Sequence, residues 1–241
     1  PQIIARSNSQ ELELRNILLK LMIFIGNEHM HILLFSLLFS LKSDNPQRKQ
    51  IANYIFDNFR MHYSSIVDES IIFSNELIRL SSTWWEIVHS YVDNASRALC
   101  LRNNLEETKA LLLDMHQIIQ KEPESFYEIS FNHQNGRPLE EAYQYLKKFE
   151  ETNDIIYLNS AWSYYSPIFT HIHEFLPNFN KIQIEDASMK LYKMENLDIN
   201  VPGTYSHNSP LININQISPV IPILSSKQRP RKIWFIGSNG I

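Results

Sequence analysis

The sequence predicts a mainly α-helical protein that ends in a short β-rich segment. Apolar residues recur at spacings of three and four from about Ser9 to about Phe175, which is the pattern of amphipathic helices. Only 5 residues are glycine, 44% are hydrophobic and 20% are charged, which favours a folded helical chain over a disordered one. After Pro177, β-branched residues and prolines become frequent, as expected for strands and turns.

Three stacked antiparallel helices are predicted first, as at the end of a solenoid or bundle. One helix begins near Ser9, and a second covers about Met30 to Leu41. The segment SDNPQ then separates two helices, because Asn45 is a good N-cap and Pro46 suits a first turn. Apolar residues at helical spacing indicate the third helix: Ile51, Ile55, Phe59, Ile66 and Phe73.

Four helices with short connections are predicted next, so neighbouring helices should be antiparallel. The third of them should break at NGRP, where Gly136 ends one piece and Pro138 starts the next. Asn104 and Glu107 are a suitable cap for the second. The predicted bounds are about 75–99 for the first helix, 104–121 for the second, an end near 152 for the third, and 154–175 for the fourth.

The fourth of these helices has more apolar surface than one core face needs. Its core stripe is predicted to be Leu158, Ala161, Tyr165, Ile168, Ile172 and Phe175. Trp162 and Phe169 lie off this stripe, rotated from its centre by on the order of 80–100°. Packing under a loop or a neighbouring domain is one explanation for these two aromatic residues. A binding surface is the other.

The first helix of the four has a similar arrangement. Its predicted core stripe is Leu77, Leu80, Trp84, Ile87, Tyr91, Ala95 and Ala98. Trp85, Val92 and Ser96 lie off this stripe, and Leu99 lies at its edge. If the surplus edges of the two helices adjoin, they form a groove with aromatic walls. Such a groove suits an apolar ligand or a partner segment.

Composition and charge argue against several other classes of protein. The formal charge of −4 without a long run of one sign predicts no nucleic-acid binding. The only cysteine, Cys100, cannot form an internal disulfide, which fits a reducing compartment. The apolar run Ile32 to Leu41 is shorter than the ~20 residues of a membrane span. A buried helix is therefore predicted there, with no transmembrane segment or signal peptide.

No metal site is predicted from the histidines. The pairs His29/His31 and His171/His173 have a spacing of two residues, which on a helix directs them to different faces. Without cysteine partners a zinc site is not expected. The glutamate pairs are typical of solvated helix faces, and no Ser-His-Asp arrangement can be argued from residue order.

Several segments together resemble the target-of-rapamycin kinases, which belong to the phosphatidylinositol-3-kinase-related Ser/Thr protein kinases. These segments are ELIRLSSTWWEIVHSYVDNASRALC, FNHQNGRPLEEAYQYLKKF, AWSYYSPIF, VPGTY and SKQRPRK followed by GSNG. The resemblance covers essentially the whole chain. It implies the end of a FAT helical solenoid over 1–73, an FKBP-rapamycin-binding four-helix bundle over 74–176, and the start of a kinase N-lobe over 177–241.

The resemblance also implies a docking groove for protein substrates, or for rapamycin bound to an FKBP immunophilin. The matching positions are Val92, Ser96, Leu99, Cys100, Asn159, Trp162, Ser163, Ser166 and Phe169. The family usually has aromatic residues where this chain has Leu99, Cys100 and Ser166, and an aspartate at Ser163. Losing aromatic walls removes apolar contact, so rapamycin-dependent binding is expected to be weakened.

The resemblance places SKQRPRK between the first two strands of the N-lobe, as the loop over the ATP phosphates. Leu224, Ser226 and Gln228 are the matching positions. From the residues alone, this basic segment is also typical of a solvated turn or a nuclear-localisation-like patch. In the family, the strand at 232–236 pairs with a following strand that carries the ATP-contacting lysine. The strand is predicted at Ile233–Ile236, with a hairpin turn at Gly237–Gly240.

The implied activity is phosphorylation of protein Ser/Thr with Mg-ATP in growth and nutrient signalling, with other TOR complex subunits as partners. ATP and Mg²⁺ would serve the intact kinase, and the catalytic and metal-binding residues of the family would lie outside these 241 residues. The chain alone is therefore expected to bind no cofactor and to be inactive. The proline at position 1 suggests a cut end. A cytoplasmic location is expected, with peripheral attachment to endomembranes as a variant. The alternative to a kinase is a stand-alone helical scaffold derived from one.

Overall fold

A computed structural model describes residues 2–6, 9, 11–206 and 209–240. It confirms the predicted fold class, with long helices first and short strands last. The helices are α1 (Gln2–Arg6), α2 (Leu12–Leu41), α3 (Pro46–Ser81), α4 (Trp84–Arg102), α5 (Leu105–Ile119), α6 (Phe126–Thr152), α7 (Ile155–Phe175), α8 (Ile184–Ala187) and α9 (Met189–Tyr192). The strands are β1 (Lys181–Gln183), β2 (Ile214–Ile217), β3 (Val220–Pro222) and β4 (Phe235–Gly237).

The chain divides into two compact units. One consists of Pro1–Leu77, Lys193–Ser218 and Ile233–Ile241, and the other of Ile78–Tyr192 and Pro219–Lys232. We call the second the bundle unit, because it contains helices α4 to α7. The residues after Pro177 thus contribute to both units.

The helices before the bundle bend at two residues. Helix α2 has a non-helical residue at His29, and α3 has one at Tyr63. The bend at His29 lies where the sequence predicts one helix to end and the next to begin near Met30. Gly26 lies against the ring of Phe59, and the Tyr63 hydroxyl donates to the Asn27 carbonyl over 2.9 Å. The first half of α2 therefore packs directly on α3.

Helix α2 is the one helix in the described part of the chain whose length and composition would allow it to cross a membrane. Core helices of soluble proteins and signal sequences meet the same criterion. The predicted burial of the run from Ile32 to Leu41 holds on one face, where Leu33, Leu34, Leu37 and Leu38 are buried. Ile32 and Phe39 on the other side are exposed.

The predicted start of the first bundle helix near Asn75 is wrong, because α3 continues to Ser81 and α4 begins at Trp84. A capping box stabilises the start of α4. The Glu86 carboxylate accepts from the Thr83 backbone N–H over 2.9 Å, and Thr83 caps the first turn in return. Such reciprocal bonds satisfy backbone donors that a helix start leaves unpaired. The predicted Asn104 cap of α5 is confirmed, since its side chain accepts from the Glu107 N–H.

The predicted break at NGRP is also wrong, since α6 runs without interruption from Phe126 to Thr152. Pro138 removes one helical hydrogen bond, to the carbonyl of Gln134, and Gln134 is exposed. One buried face continues across this point: Phe131, Asn135, Leu139, Ala142, Leu146 and Phe149. Packing of that continuous face overrides the local helix-breaking tendency of Gly136 and Pro138.

The core of the bundle unit is formed by the inner faces of α4 to α7. In α7, the predicted core residues Leu158, Ala161, Tyr165, Ile168 and Ile172 are all buried. Inside this core the His116 Nε2 lies 2.8 Å from the Tyr165 hydroxyl. Burial lowers the pKa of His116 to about 4, so this ring is neutral at physiological pH.

The strands form two separate antiparallel pairs. In the bundle unit, β1 pairs with β3. In the other unit, β2 pairs with β4, with an irregularity between Ile214 and Gln216. The turn predicted after β4 is present, because the Gly240 N–H donates to the Gly237 carbonyl over 2.9 Å and Gly240 has φ +78. The pairing of β4 with the earlier strand β2 was not predicted.

Candidate functional site

Helices α4 and α7 lie side by side in the bundle and run in opposite directions. Trp85, near the start of α4, has its ring centroid 5.3 Å from that of Phe175, at the end of α7. One turn further along α4, the His89 ring stacks on Phe169 with centroids 4.6 Å apart. The residue numbers rise on one helix and fall on the other, so the two helices are antiparallel.

This arrangement places Ser96 near Trp162. Seven residues complete nearly two helical turns and advance about 10 Å along the axis. Ser96 follows His89 by seven residues on α4, and Trp162 precedes Phe169 by seven residues on α7. Since His89 lies against Phe169, the same edge of both helices carries Ser96 opposite Trp162. The edge of α4 that carries His89 and Ser96 therefore adjoins the edge of α7 that carries Trp162 and Phe169. We call the surface formed by these four residues the α4–α7 groove.

The predicted groove residues differ in how much of each is accessible. Ser96, Leu99, Trp162 and Phe169 are half-buried, whereas Cys100, Asn159, Ser163 and Ser166 are exposed. Trp162 packs edge-on to the buried Tyr165, with centroids 6.2 Å apart. The aromatic rings therefore rest on the core and still present one side to the surface.

Two residues assigned to the surplus edge of α4 are in the core instead. Trp85 and Val92 are 4% and 3% exposed, and both belong to the hydrophobic cluster of the bundle. The buried face of α4 is rotated away from the predicted stripe, since Ile87 and Tyr91 at the centre of that stripe are only partly buried. Val92 therefore supports the groove from below and offers almost no surface of its own.

Sequence reasoning missed His89, which is the α4 residue in direct contact with Phe169. Its Nε2 lies 3.1 Å from the Nδ1 of His173 on α7. Burial lowers the pKa of His89, and the neighbouring His173 and Arg229 lower it further, opposed by Asp93. The spacing of seven residues between His89 and Ser96 was the available signal for this position.

Two hydroxyl groups near the polar edge of the groove, those of Ser163 and Thr170, bond to their own helix. Ser163 Oγ donates to the Ser160 carbonyl over 2.6 Å, and the Ser166 carbonyl accepts from Thr170 Oγ1 over 3.1 Å. A ligand in the groove therefore meets a surface whose polar groups are partly satisfied. Trp162 and Phe169 supply the large apolar side chains of this surface.

The segment predicted to cover ATP phosphates forms a closed loop. Its base is fastened by an antiparallel bridge between Ile223 and Arg231 and by a bond from the Leu224 N–H to the Pro230 carbonyl over 2.9 Å. Leu224, Ser226 and Gln228 are all exposed. Ser226 and Gln228 thus lie at the accessible end of the loop, and Leu224 lies at its base.

An exposed basic turn would have solvated arginines, but the arginines of this loop are largely buried. The Arg231 side chain is only 6% exposed and the Arg229 side chain 23%. Both bind the carboxylate of Glu86 on α4. The loop is therefore tied to the first turn of a groove helix.

The argument that His29 and His31 face apart does not hold, because His29 is the non-helical residue of α2. The Tyr205 hydroxyl lies 2.8 Å from His29 Nδ1, and the His31 ring stacks against the same tyrosine at 6.4 Å. Burial lowers the pKa of His31, opposed by Asp198. Among residues 2–6, 9, 11–206 and 209–240, no three His, Cys, Asp or Glu side chains are grouped suitably for a metal ion.

Comparison with known proteins shows which family this chain resembles. A family model described as "FKBP12-rapamycin binding domain" matches residues 76–174, which extend from the end of α3 to the last turn of α7. Over its whole length the chain is 34% identical to serine/threonine-protein kinase TOR2 of Saccharomyces cerevisiae and 34% identical to serine/threonine-protein kinase TOR of Oryza sativa subsp. japonica. The chain belongs to the target-of-rapamycin family.

Another target-of-rapamycin (TOR) relative is slightly less similar. Identity to serine/threonine-protein kinase mTor of Drosophila melanogaster is 31% over 240 residues. In each of these comparisons the alignment covers 100% of this TOR-family chain but 10% of the relative. The match establishes the family and says nothing of the residues that would perform phosphoryl transfer.

Proposed function

We propose that this chain is the part of a TOR-type serine/threonine kinase that supplies a docking groove and the ATP phosphate loop. The complete protein would transfer the γ-phosphate of Mg-ATP to Ser or Thr of protein substrates in growth and nutrient signalling. The observation that carries this proposal is the α4–α7 groove. There, half-buried Trp162 and Phe169 lie opposite Ser96 within the matched FKBP12-rapamycin binding domain.

The groove is proposed to dock an apolar segment of protein substrates. Trp162 offers a flat apolar surface, and Ser96 is small enough to let a ligand approach it closely. In the full-length kinase, Trp162→Ala should raise the KM for a protein substrate several-fold and leave the KM for ATP unchanged. Trp234→Ala is the matched control, because Trp234 is 44% exposed and lies outside the bundle unit. Equal KM values for both variants would contradict substrate docking in this groove.

Binding of an FKBP-type immunophilin with rapamycin is proposed to be weak. A fully buried aromatic ring contributes roughly 1.5–3 kcal/mol, and this chain has Leu99 and Cys100 where the family usually has such rings. Titration of the chain with FKBP and rapamycin should show no nanomolar complex. Leu99→Phe combined with Cys100→Phe should tighten binding, and nanomolar affinity of the unchanged chain would contradict the proposal.

The exposed end of the loop is proposed to cover the ATP phosphates in the intact kinase, with Leu224 beside the nucleotide. Backbone N–H groups and the side chains of Ser226 and Gln228 would contact the phosphates. Phosphoryl transfer also needs a lysine on the phosphates, a catalytic aspartate and metal-binding residues. The purified chain should therefore not hydrolyse Mg-ATP, and measurable turnover would contradict this assignment.

The second candidate function is a helical scaffold without catalytic activity. The extent of the match favours the kinase, because the chain aligns along its whole length with relatives named as kinases. The reading frame beyond Ile241 separates the two candidates: a strand carrying a lysine soon after Gly240 supports the kinase. A cytoplasmic location and assembly with other TOR complex subunits are part of the same proposal.

A further inference from the structure

Two arginines at the base of the loop converge on one carboxylate. Arg229 Nε lies 2.8 Å from Glu86 Oε1, and one terminal nitrogen of Arg231 lies 3.1 Å from the same oxygen. The other terminal nitrogen of Arg231 binds Glu86 Oε2. The Glu86 side chain is only 12% exposed, so these charge-assisted bonds are largely shielded from solvent and are stronger than surface pairs.

Each arginine also donates to a backbone carbonyl. Arg231 Nε lies 3.0 Å from the Leu80 carbonyl at the end of α3. A terminal nitrogen of Arg229 binds the Phe179 carbonyl, just after α7. A guanidinium presents its donors in a fixed plane, so several bonds in different directions fix its orientation as well as its position. The donors used here are not available to a nucleotide.

Glu86 is at the same time part of the cap of α4. It accepts from the backbone N–H of Thr83 and from the Thr83 hydroxyl, each over 2.9 Å. Burial raises the pKa of Glu86, but hydrogen bonds from Arg231, Thr83 and Arg229 outweigh burial and hold it below the usual value. One ionised carboxylate therefore joins the start of a groove helix to the base of the loop.

One of the two arginines also has an unusual backbone conformation. Arg229 has φ +46, a left-handed conformation that costs a non-glycine residue free energy. Its N–H donates to the Ser226 carbonyl over 3.0 Å and so closes the turn at the accessible end. Fixing the Arg229 side chain on Glu86 stabilises the one residue whose conformation sets the direction of that turn.

We propose that Glu86 is a positioning residue for the ATP phosphate loop, holding Arg229 and Arg231 so that Ser226 and Gln228 face the nucleotide. This proposal rests on the proposed kinase function. Glu86 itself touches no substrate; it acts through the two arginines. The bundle would then help to set the affinity for ATP as well as to dock substrates.

The test uses Glu86→Gln in the full-length kinase. Glutamine can still cap α4 but cannot neutralise two arginines. We expect the KM for ATP to rise about tenfold with the KM for the protein substrate unchanged, the pattern of a lost ground-state contact. An ATP KM equal to that of the control below would overturn the proposal.

Glu128→Gln is a closely matched control. Glu128 has the same position in the capping box of α6, a side chain that is 14% exposed, and an ion pair with Arg79 at 2.9 Å. Its replacement perturbs the stability of the same bundle without touching the loop. The KM for ATP should therefore stay at the wild-type value in this variant.

Hydrogen exchange on the 241-residue chain tests the contact independently of kinase activity. Glu86→Gln should speed exchange at the amides of Leu224 and Lys232, which bond to the carbonyls of Pro230 and Pro222, whereas Glu128→Gln should not. Unchanged exchange overturns the anchoring. Faster exchange with an unchanged KM for ATP overturns the positioning role, and an inactive wild-type full-length protein refutes the proposed function itself.

Discussion

The bundle helices and helix α2 differ in how many of their large apolar residues are exposed. In α2, large apolar residues are exposed along its whole length: Leu12, Leu14, Ile17, Leu21, Phe24, Ile32 and Phe39. In α4 to α7, the exposed ones occupy only the first or last turns of their helices: Leu101, Phe126, Ile129, Ile155 and Ile156. The bundle thus buries its apolar faces within itself.

The difference is the one expected if α2 belongs to a solenoid, as the sequence predicts. Four antiparallel helices enclose a common core, whereas each repeat of a solenoid needs its neighbours to cover its surface. Trp162 and Phe169, which are half-buried in the middle of α7, are therefore more informative than the many apolar residues exposed on α2. The variants below test this contrast.

Removing a core ring of the bundle should have the largest effect. Phe131 is fully buried and lies edge-on to Trp84 and Trp85, with centroids 5.8 and 5.7 Å away. Phe131→Ala should lower the free energy of unfolding by about 3–5 kcal/mol, as measured by urea denaturation followed by tryptophan fluorescence. Phe126→Ala on the same helix is the control, because Phe126 is 62% exposed. If both variants lost a similar amount of unfolding free energy, α6 would not have one buried face and one exposed face.

Acid should destabilise the bundle through His116. The pKa of His116 is about 4 in the folded state, whereas an unburied histidine has a pKa of 6.5, so the unfolded chain binds the proton first as pH falls. This stability is complete above pH 6.5, declines between pH 6.5 and 4, and reaches a total loss of about 3 kcal/mol.

Unfolding measured between pH 7 and 4 checks this pH dependence. The double variant His116→Leu with Tyr165→Phe removes the histidine and its hydroxyl partner together, so no buried polar atom of the pair is left unpaired. Its stability should fall less steeply over the same pH range. An unchanged slope would mean that other groups cause the acid sensitivity.

Two glycine substitutions distinguish a glycine in a close helix contact from a glycine with free space around it. A Cβ at Gly26 would lie 2.0 Å from the ring of Phe59, whereas at Gly136 the nearest atom is the Asn132 Cβ at 3.9 Å. Gly26→Ala should cost about 1–3 kcal/mol through overpacking. Gly136→Ala should stabilise α6 by roughly 0.5–1 kcal/mol. Thermal denaturation of both variants measures the two signs, and stabilisation by Gly26→Ala would show that α2 and α3 are not in contact there.

Polar substitutions on the exposed side of α2 should have the smallest effect. Phe24 and Phe39 are 69% and 80% exposed, so Phe24→Ser and Phe39→Ser should change the unfolding free energy by under about 0.5 kcal/mol. They should also reduce the binding of an apolar fluorescent dye. A larger loss of stability would mean that this side of α2 is covered in solution.

Local signals in the sequence were sufficient where the structure depends on neighbours along the chain. The Asn104 cap, the start of α7 after Asp154 and the core stripe of α7 all follow from hydrogen bonds or spacing within one helix. The same spacing located Trp162 and Phe169 outside the core stripe. The kink near Met30 was also foreseen, as a boundary between two helices.

Other features depended on partners distant in sequence. NGRP contains two helix breakers, but the buried face from Phe131 to Phe149 keeps α6 continuous. The stripe of α4 was rotated because Trp85 packs against Tyr127, Phe131 and Phe175, which are on other helices. Both adjacent tryptophans of α4 are buried against Phe131, and no pattern within α4 reports that.

The sequence by itself determined the fold class, the cap of α5, the start of α7, and the family. Only the tertiary structure decided that His89 lies on Phe169 and that Arg229 and Arg231 meet Glu86. Caps and helical periodicity arise from bonds within a few residues, which a sequence displays directly. Arg229 and Arg231 lie 143 and 145 positions after Glu86 in the sequence. Their contact depends on how packed helices bring charges together, and only the folded chain specifies that.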